Sequence, residues 1–229
     1  MPARLLLVHS PLVGCGTWEP VAKDLAGSGY AVTVPDLGGT VTAGPPYHQR
    51  QARAIADSAA GQPAILVGHS GAGPLLATAG TMLGDAVRGY IFVDAGMPTP
   101  GRSWMETVPP GLAAQLRDMA DTSGWLPPWS QWWGEEELAA LLPGPSVRRR
   151  FAAGCPRLPL AMFEETHPPA LGWPTAPGGY LQLSEAYEDE AARARELGWP
   201  VRRHLSHHLA LLTEPAQVAR ELRELIGEP

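Results

Sequence analysis

The chain reads as an α/β protein, a mostly parallel, doubly wound sheet carrying a helical insert. Three observations predict this. Strand-like runs alternate with helical patterns up to about residue 98 and again from about residue 178. The strand-like runs are apolar at consecutive positions, as expected of strands covered on both faces. The alternation is interrupted once, over 98–177, a stretch that holds 14 of the 25 prolines and six of the eight tryptophans.

Each element follows from a local pattern. ARLLLVHS (3–10) is a buried strand. WEPVAKDLAGSGY places Val21 and Leu25 one turn apart and stops at glycine, which predicts a helix. YAVTVPDLGG (30–39) is a second strand ending in turn residues, and HQRQARAIADSAAG (48–61) a polar-faced helix. PAILVGHSGAG (63–73) is a third strand running into a glycine-rich turn. The helix PLLATAGTMLGDAV (74–87) follows, with Pro74 near its first turn. RGYIFVDAGMP (88–98) is the fourth strand. Within the insert, 111–124 and 134–144 have short helical patterns. Alternation then resumes with a strand over 178–184, a helix over 185–198, a strand and its loop over 199–208, and an amphipathic helix over 214–227. The expected organisation is one domain, 1–229, with core segments 1–98 and 178–229 and a cap insert over about 99–177.

Composition narrows the function. Apolar residues make up 45% of the chain and charged residues 17%, which is globular rather than disordered. The net charge of −6 argues against a general nucleic-acid binder. Arg148, Arg149 and Arg150 read as a solvated helix face. No apolar run is long enough for a membrane span, and MPARLLLVHS is too short to be a secretory leader. Two cysteines without paired spacing, Cys15 and Cys155, suit a reducing cytoplasm.

The chemistry is carried by AILVGHSGAG. A buried strand runs directly into Gly68-His69-Ser70-Gly71-Ala72 and a helix begins at once. This is the context of a nucleophile elbow, a turn so sharp that its serine is strained and its flanks must be small. Ala72 stands where glycine is usual, a departure of one methyl. A plain turn or a phosphate-binding helix start is the competing reading, but the spacing fits neither a Walker loop nor a dinucleotide fingerprint.

On LLLVHSPLVG, YAVTVPDLGG, ILVGHSGAG, YIFVDAGMP and WPVRRHLSHHLALLTEP, in that order, the chain resembles the α/β-hydrolase family over nearly its whole length. Within it, the resemblance is to the small esterase and hydroxynitrile-lyase-like branch and to actinobacterial hydrolases. It implies a Ser–His–acid triad with Ser70 as nucleophile and His208, in the tail segment SHHLALLTEP, as general base. Clustered His204, His207 and His208 lack the partners of a zinc motif, so no metal and no cofactor are expected. For the acid, Asp94 ends the fourth strand, in the layout of haloalkane dehalogenases. Glu185, after the next strand, is the alternative.

The resemblance also implies two oxyanion donors. The Gly71 N–H supplies one. The other normally follows the first strand, where this chain has His9-Ser10-Pro11, and proline has no N–H. The N–H of Leu12 is the first choice, and the Ser10 hydroxyl the alternative. A largely apolar pocket is expected, lined by Pro11, His69, Trp104, Trp129 and Trp133. The expected partner is a small hydrophobic carbonyl compound, not nucleic acid or membrane, with a homodimer left open. The first functional expectation is a serine hydrolase of a small-to-medium hydrophobic ester, thioester or lactone. A lyase, cyclase or isomerase using the same residues, and a ligand-binding protein on the same scaffold, are the alternatives.

Overall fold

Six parallel strands form the main sheet of a computed structural model that describes residues 3–170 and 172–227. They are β1 (Arg4–Val8), β2 (Val32–Thr33), β3 (Ala64–His69), β4 (Val87–Val93), β7 (Gly178–Gln182) and β8 (Val201–Arg203). Their order is β2-β1-β3-β4-β7-β8, so the chain winds outwards in both directions from β1 and β3. The second strand is far shorter than 30–39, because Pro35 and the turn residues after it leave only Val32 and Thr33 paired with β1.

Alternate residues of each strand feed two cores, as the period of two requires. Leu6 and Val8 of β1, Leu66 of β3, and Tyr90 and Phe92 of β4 face one cluster. Leu5 and Leu7, Val67, and Ile91 and Val93 face the other. The first is covered by α2 (Tyr47–Asp57), α3 (Gly73–Leu83) and α8 (Glu188–Glu196), the second by α1 (Glu19–Gly27) and α10 (Pro215–Ile226). Every apolar side chain in β1 from Leu5 to Val8 has no exposure. Each contributes about 1.5–3 kcal/mol of apolar burial. This explains why the strands read as unbroken apolar runs.

The described residues of 99–177 add no strand to the main sheet. They hold α4 (Pro110–Met119), α5 (Glu135–Leu141), α6 (Pro145–Gly154), α7 (Leu160–Glu164) and a two-residue antiparallel ladder of β5 (Trp125–Leu126) with β6 (Leu158–Pro159). The sequence patterns identified α4 and α5 by range, and α6 only through Arg148–Arg150, read as a helix face; its one buried side chain is Phe151. The last helical turn before α10, α9 (Ala210–Thr213), follows the His208 loop.

Two apolar clusters tie this segment to the strand ends. Met105, Leu116, Leu126, Met162 and Phe163 pack with Val41 and Tyr47. Leu138, Leu142 and Phe151 pack with Val13 and Leu209. Glu165 adds a polar tie, since its carboxylate accepts the N–H groups of Tyr47 and His48, both at 2.8 Å, at the start of α2. A carboxylate there satisfies N–H groups that no helical carbonyl reaches.

Candidate active site

Ser70 leaves β3 with φ = 57°, the left-handed region that a side chain rarely occupies. The turn is Ser70–Ala72, and α3 starts at Gly73. The tightest small-residue requirement lies beyond the five-residue motif. A Cβ on Gly73 would come within 2.0 Å of the Gly96 carbonyl oxygen, so only glycine lets α3 approach the loop after β4 this closely. A Cβ on Gly71 would lie 2.9 Å from Ser10 Oγ.

Three of the sequence-selected side chains meet in one line. His208 Nε2 lies 3.0 Å from Ser70 Oγ, and its Nδ1 lies 2.8 Å from Asp94 Oδ2. An ionised carboxylate only accepts, so Nδ1–H donates to Asp94 and Nε2 is left to accept the Ser70 proton. Asp94 is fully buried, with φ = 44° at the end of β4. Its Oδ1 accepts the N–H groups of Leu183 (2.8 Å) and Ser184 (2.9 Å), and its Oδ2 accepts the Ser184 hydroxyl (2.6 Å). Burial pushes this carboxyl up, but His208 and the Ser184 and Leu183 donors outweigh it, and the net shift is downward. The residues after β7, where the alternative acid was sought, serve instead to hold Asp94. Glu185 is exposed.

Behind His208, His69 Nε2 lies 3.0 Å from the His208 carbonyl oxygen. A carbonyl only accepts, so His69 donates. Burial and the neighbouring His208 push the His69 pKa down to about 3. His69 therefore anchors the base's backbone as a neutral ring and does not line the cavity, contrary to expectation. Tyr187 stacks on the imidazole, its ring nearly parallel to that of His208 with centroids 5.2 Å apart. Burial drives this phenol up to about 12. No local pattern points to Tyr187 beyond its place three residues after Ser184. The other tail histidines are engaged elsewhere, His204 with Glu214 and His207 with Thr213.

The loop after β1 resolves differently from the first expectation. The Leu12 N–H donates to Ser10 Oγ at 3.3 Å. Ser10 Oγ thus accepts one bond, sits beside Gly71, and keeps its own proton available. His9 is buried and its Nε2 accepts the Leu37 N–H at 3.2 Å.

A cavity of about 40 Å³ opens beside the elbow, lined by Ser10, Pro11, Leu12 and Gly71 on one side and by Leu75, Trp104, Met162, Phe163, His48 and His167 on the others. Pro11 and Trp104 fall where expected. Trp129 and Trp133 do not. Trp129 packs edge-on against Phe151, and Trp133, at 46% exposure, lies on the surface against Trp129. Tryptophan content predicted an apolar insert but not which rings face inward.

The comparisons agree with this architecture. The α/β hydrolase family model matches residues 5–221, and the chain belongs to that family. No curated protein matches it in sequence. Among solved structures, an extracellular α/β-hydrolase from a Paenibacillus species, described as sharing structural and functional homology with tobacco salicylic acid binding protein 2, superposes with a TM-score of 0.80 at 20% identity. That match covers 98% of this chain and 99% of that one. Tomato methylketone synthase I, in complex with 2-tridecanone, gives 0.72 at 18% identity, covering 98% and 97%. A pyrethroid hydrolase from Sphingobium faniae gives 0.71 at 20%, covering 99% and 98%.

Proposed function

We propose that the protein is a serine hydrolase of a small-to-medium hydrophobic ester, thioester or lactone, with Ser70, His208 and Asp94 as its catalytic residues. The observation that carries this reading is the continuous hydrogen-bonded line from Ser70 Oγ through His208 to Asp94, ending beside an apolar cavity. Ser70 Oγ attacks the substrate carbonyl carbon while its proton passes to His208 Nε2, and the carbonyl electron pair moves onto oxygen. The imidazolium, held against Asp94, returns that proton to the leaving oxygen or sulfur as the bond to it breaks. Water, deprotonated by His208, then releases the acid from the acyl-serine.

The oxyanion is received by the Gly71 N–H and, in this reading, by the Ser10 hydroxyl rather than by the Leu12 N–H. Ser10 has its lone pair occupied by Leu12 and its proton free, beside Gly71. One donor of this kind is worth about 10²–10³ in rate. The absent N–H at Pro11 also supports a second reading, in which the same residues run a lyase or isomerase reaction that develops less charge on oxygen.

A fluorophosphonate tests whether Ser70 is an activated nucleophile, and ester turnover then separates the two readings. Intact-mass analysis is expected to show one adduct, located on Ser70 and absent from Ser70→Ala. A folded protein that stays unmodified leaves the hydrolase reading without its nucleophile.

A further inference from the structure

The wall facing the apolar part of the cavity contains polar side chains that nothing in the catalytic line uses. His48, on α2, is 8% exposed, and among the described residues neither of its ring nitrogens meets a partner in hydrogen-bonding geometry, although the Glu165 backbone lies near enough to act on the ring. His167 packs edge-on against it with ring centroids 4.4 Å apart, and only a long 3.4 Å contact with Thr99 engages its Nδ1. One turn along α2, and outside this cavity, Gln51 is fully buried with its carbonyl oxygen unpaired. Buried polar atoms are nearly always paired, and leaving one unpaired costs about 1–3 kcal/mol. Both imidazoles line the same cavity as Ser10 and Gly71.

We propose that His48 and His167 are specificity residues that recognise an uncharged oxygen, a hydroxyl or keto group, carried by the substrate away from its reacting carbonyl. This deepens the hydrolase reading and rests on it for the reacting end. The ligand class follows from charge. Burial pushes both imidazoles down to about 4, and His48 lowers His167 further, so at neutral pH each presents one N–H and one lone pair rather than a cation. Among the described residues no Lys or Arg lines the cavity, and the Glu165 carboxylate accepts the His48 backbone N–H. An anionic substrate group would meet no countercharge. A hydrocarbon would leave the ring nitrogens unpaired, whereas a neutral oxygen can accept an imidazole N–H.

The test uses two matched ladders of p-nitrophenyl esters, plain alkanoates and oxo-alkanoates bearing one keto group at successive positions. At one position the keto ester is expected to have a kcat/KM about tenfold above its alkanoate, the ratio that one net hydrogen bond of roughly 1.4 kcal/mol gives. His48→Phe and His167→Phe should each reduce that ratio towards one. Circular dichroism should show both variants folded, and His48→Phe with a Tm equal to or above the parent's, since an unpaired buried polar group has been removed. A structural role would lower the Tm instead. Binding of the corresponding methyl esters to Ser70→Ala, read by tryptophan fluorescence, measures the same preference without turnover. Equal ratios along both ladders in turnover and binding, or a preference that survives both substitutions, overturn the proposal. A keto preference in binding without labelling or turnover at Ser70 would instead overturn the hydrolase reading alone.

Discussion

At the strand ends, next to the cavity that Gly71 lines, Ser70, His208 and Asp94 hydrogen-bond one another, and Asp94 takes three further bonds from Leu183 and Ser184. On the α2 side, neither ring nitrogen of His48 meets a partner in hydrogen-bonding geometry among the described residues, and Gln51 lacks one on its carbonyl oxygen. The same fold supports both arrangements a few side chains apart. Where the hydrogen bonding is saturated, rotamer and tautomer are fixed before any substrate arrives, which is what a reacting group needs. Where it is unsatisfied, the desolvation cost has already been met in the free protein, and a ligand atom that pairs with the ring recovers it.

The comparison breaks most visibly at Asp94. Asp94→Asn should lower kcat for an ester by about 10³–10⁴, because an amide does not enforce the Nδ1–H tautomer. Glu185→Gln should stay within about twofold, as expected for an exposed side chain outside the line. If Glu185→Gln is the damaging change, the saturated side has been misassigned. Ser10→Ala ranks next, with an expected loss of about 10²–10³ in kcat and little change in KM. An unchanged kcat would return the second oxyanion donor to the Leu12 N–H, set free by the loss of its acceptor.

The smallest effect sharpens the contrast through pH. His48 and His167 stay neutral in the folded protein down to about pH 4, whereas the unfolded chain protonates them near 6.5. The unfolded state therefore binds more protons in that window, and stability falls as pH drops through it. Asp94 acts lower. Its depressed pKa contributes stability that is present above its unfolded value and lost only as pH falls through the folded one. Thermal melts should therefore show Tm declining by several degrees from about pH 6.5 to about pH 4, and His48→Phe should flatten part of that decline. A Tm that is constant until the carboxylates protonate would mean the α2 wall is hydrated and not as dry as its burial implies.

The family and the sheet were legible because both are written in short-range patterns. Unbroken apolar runs mark strands covered on both faces, and the strand–turn–helix around Ser70 needs small residues at fixed offsets. Gly73 shows the limit of that motif, since its tight contact is with Gly96, a partner distant in sequence. The choice between Asp94 and Glu185 depends on a backbone angle at the end of β4 and on donors from the two residues after β7, which no local pattern encodes. The α2 wall did leave a signal. His48, Gln51, Ala52 and Ile55 lie at helical spacing on one buried face, so a helix read as polar-faced carries two polar residues on its inner side. Burial in that position marks a polar residue as unusual, whereas its polarity alone does not. The tryptophans of the insert mislead for the converse reason, since Trp129 and Trp133 satisfy each other and Phe151 without reaching the cavity.

Glu165 makes the wall of this site a matter of helix chemistry. Its carboxylate sits on the first two N–H groups of α2, and it belongs to the same segment as Met162, Phe163 and His167, which roof the cavity. Any displacement of that segment would therefore uncap α2, at a cost of about 0.5–2 kcal/mol. The wall of the cavity and the first turn of α2 are in this sense one unit, and a change that loosens one loosens the other.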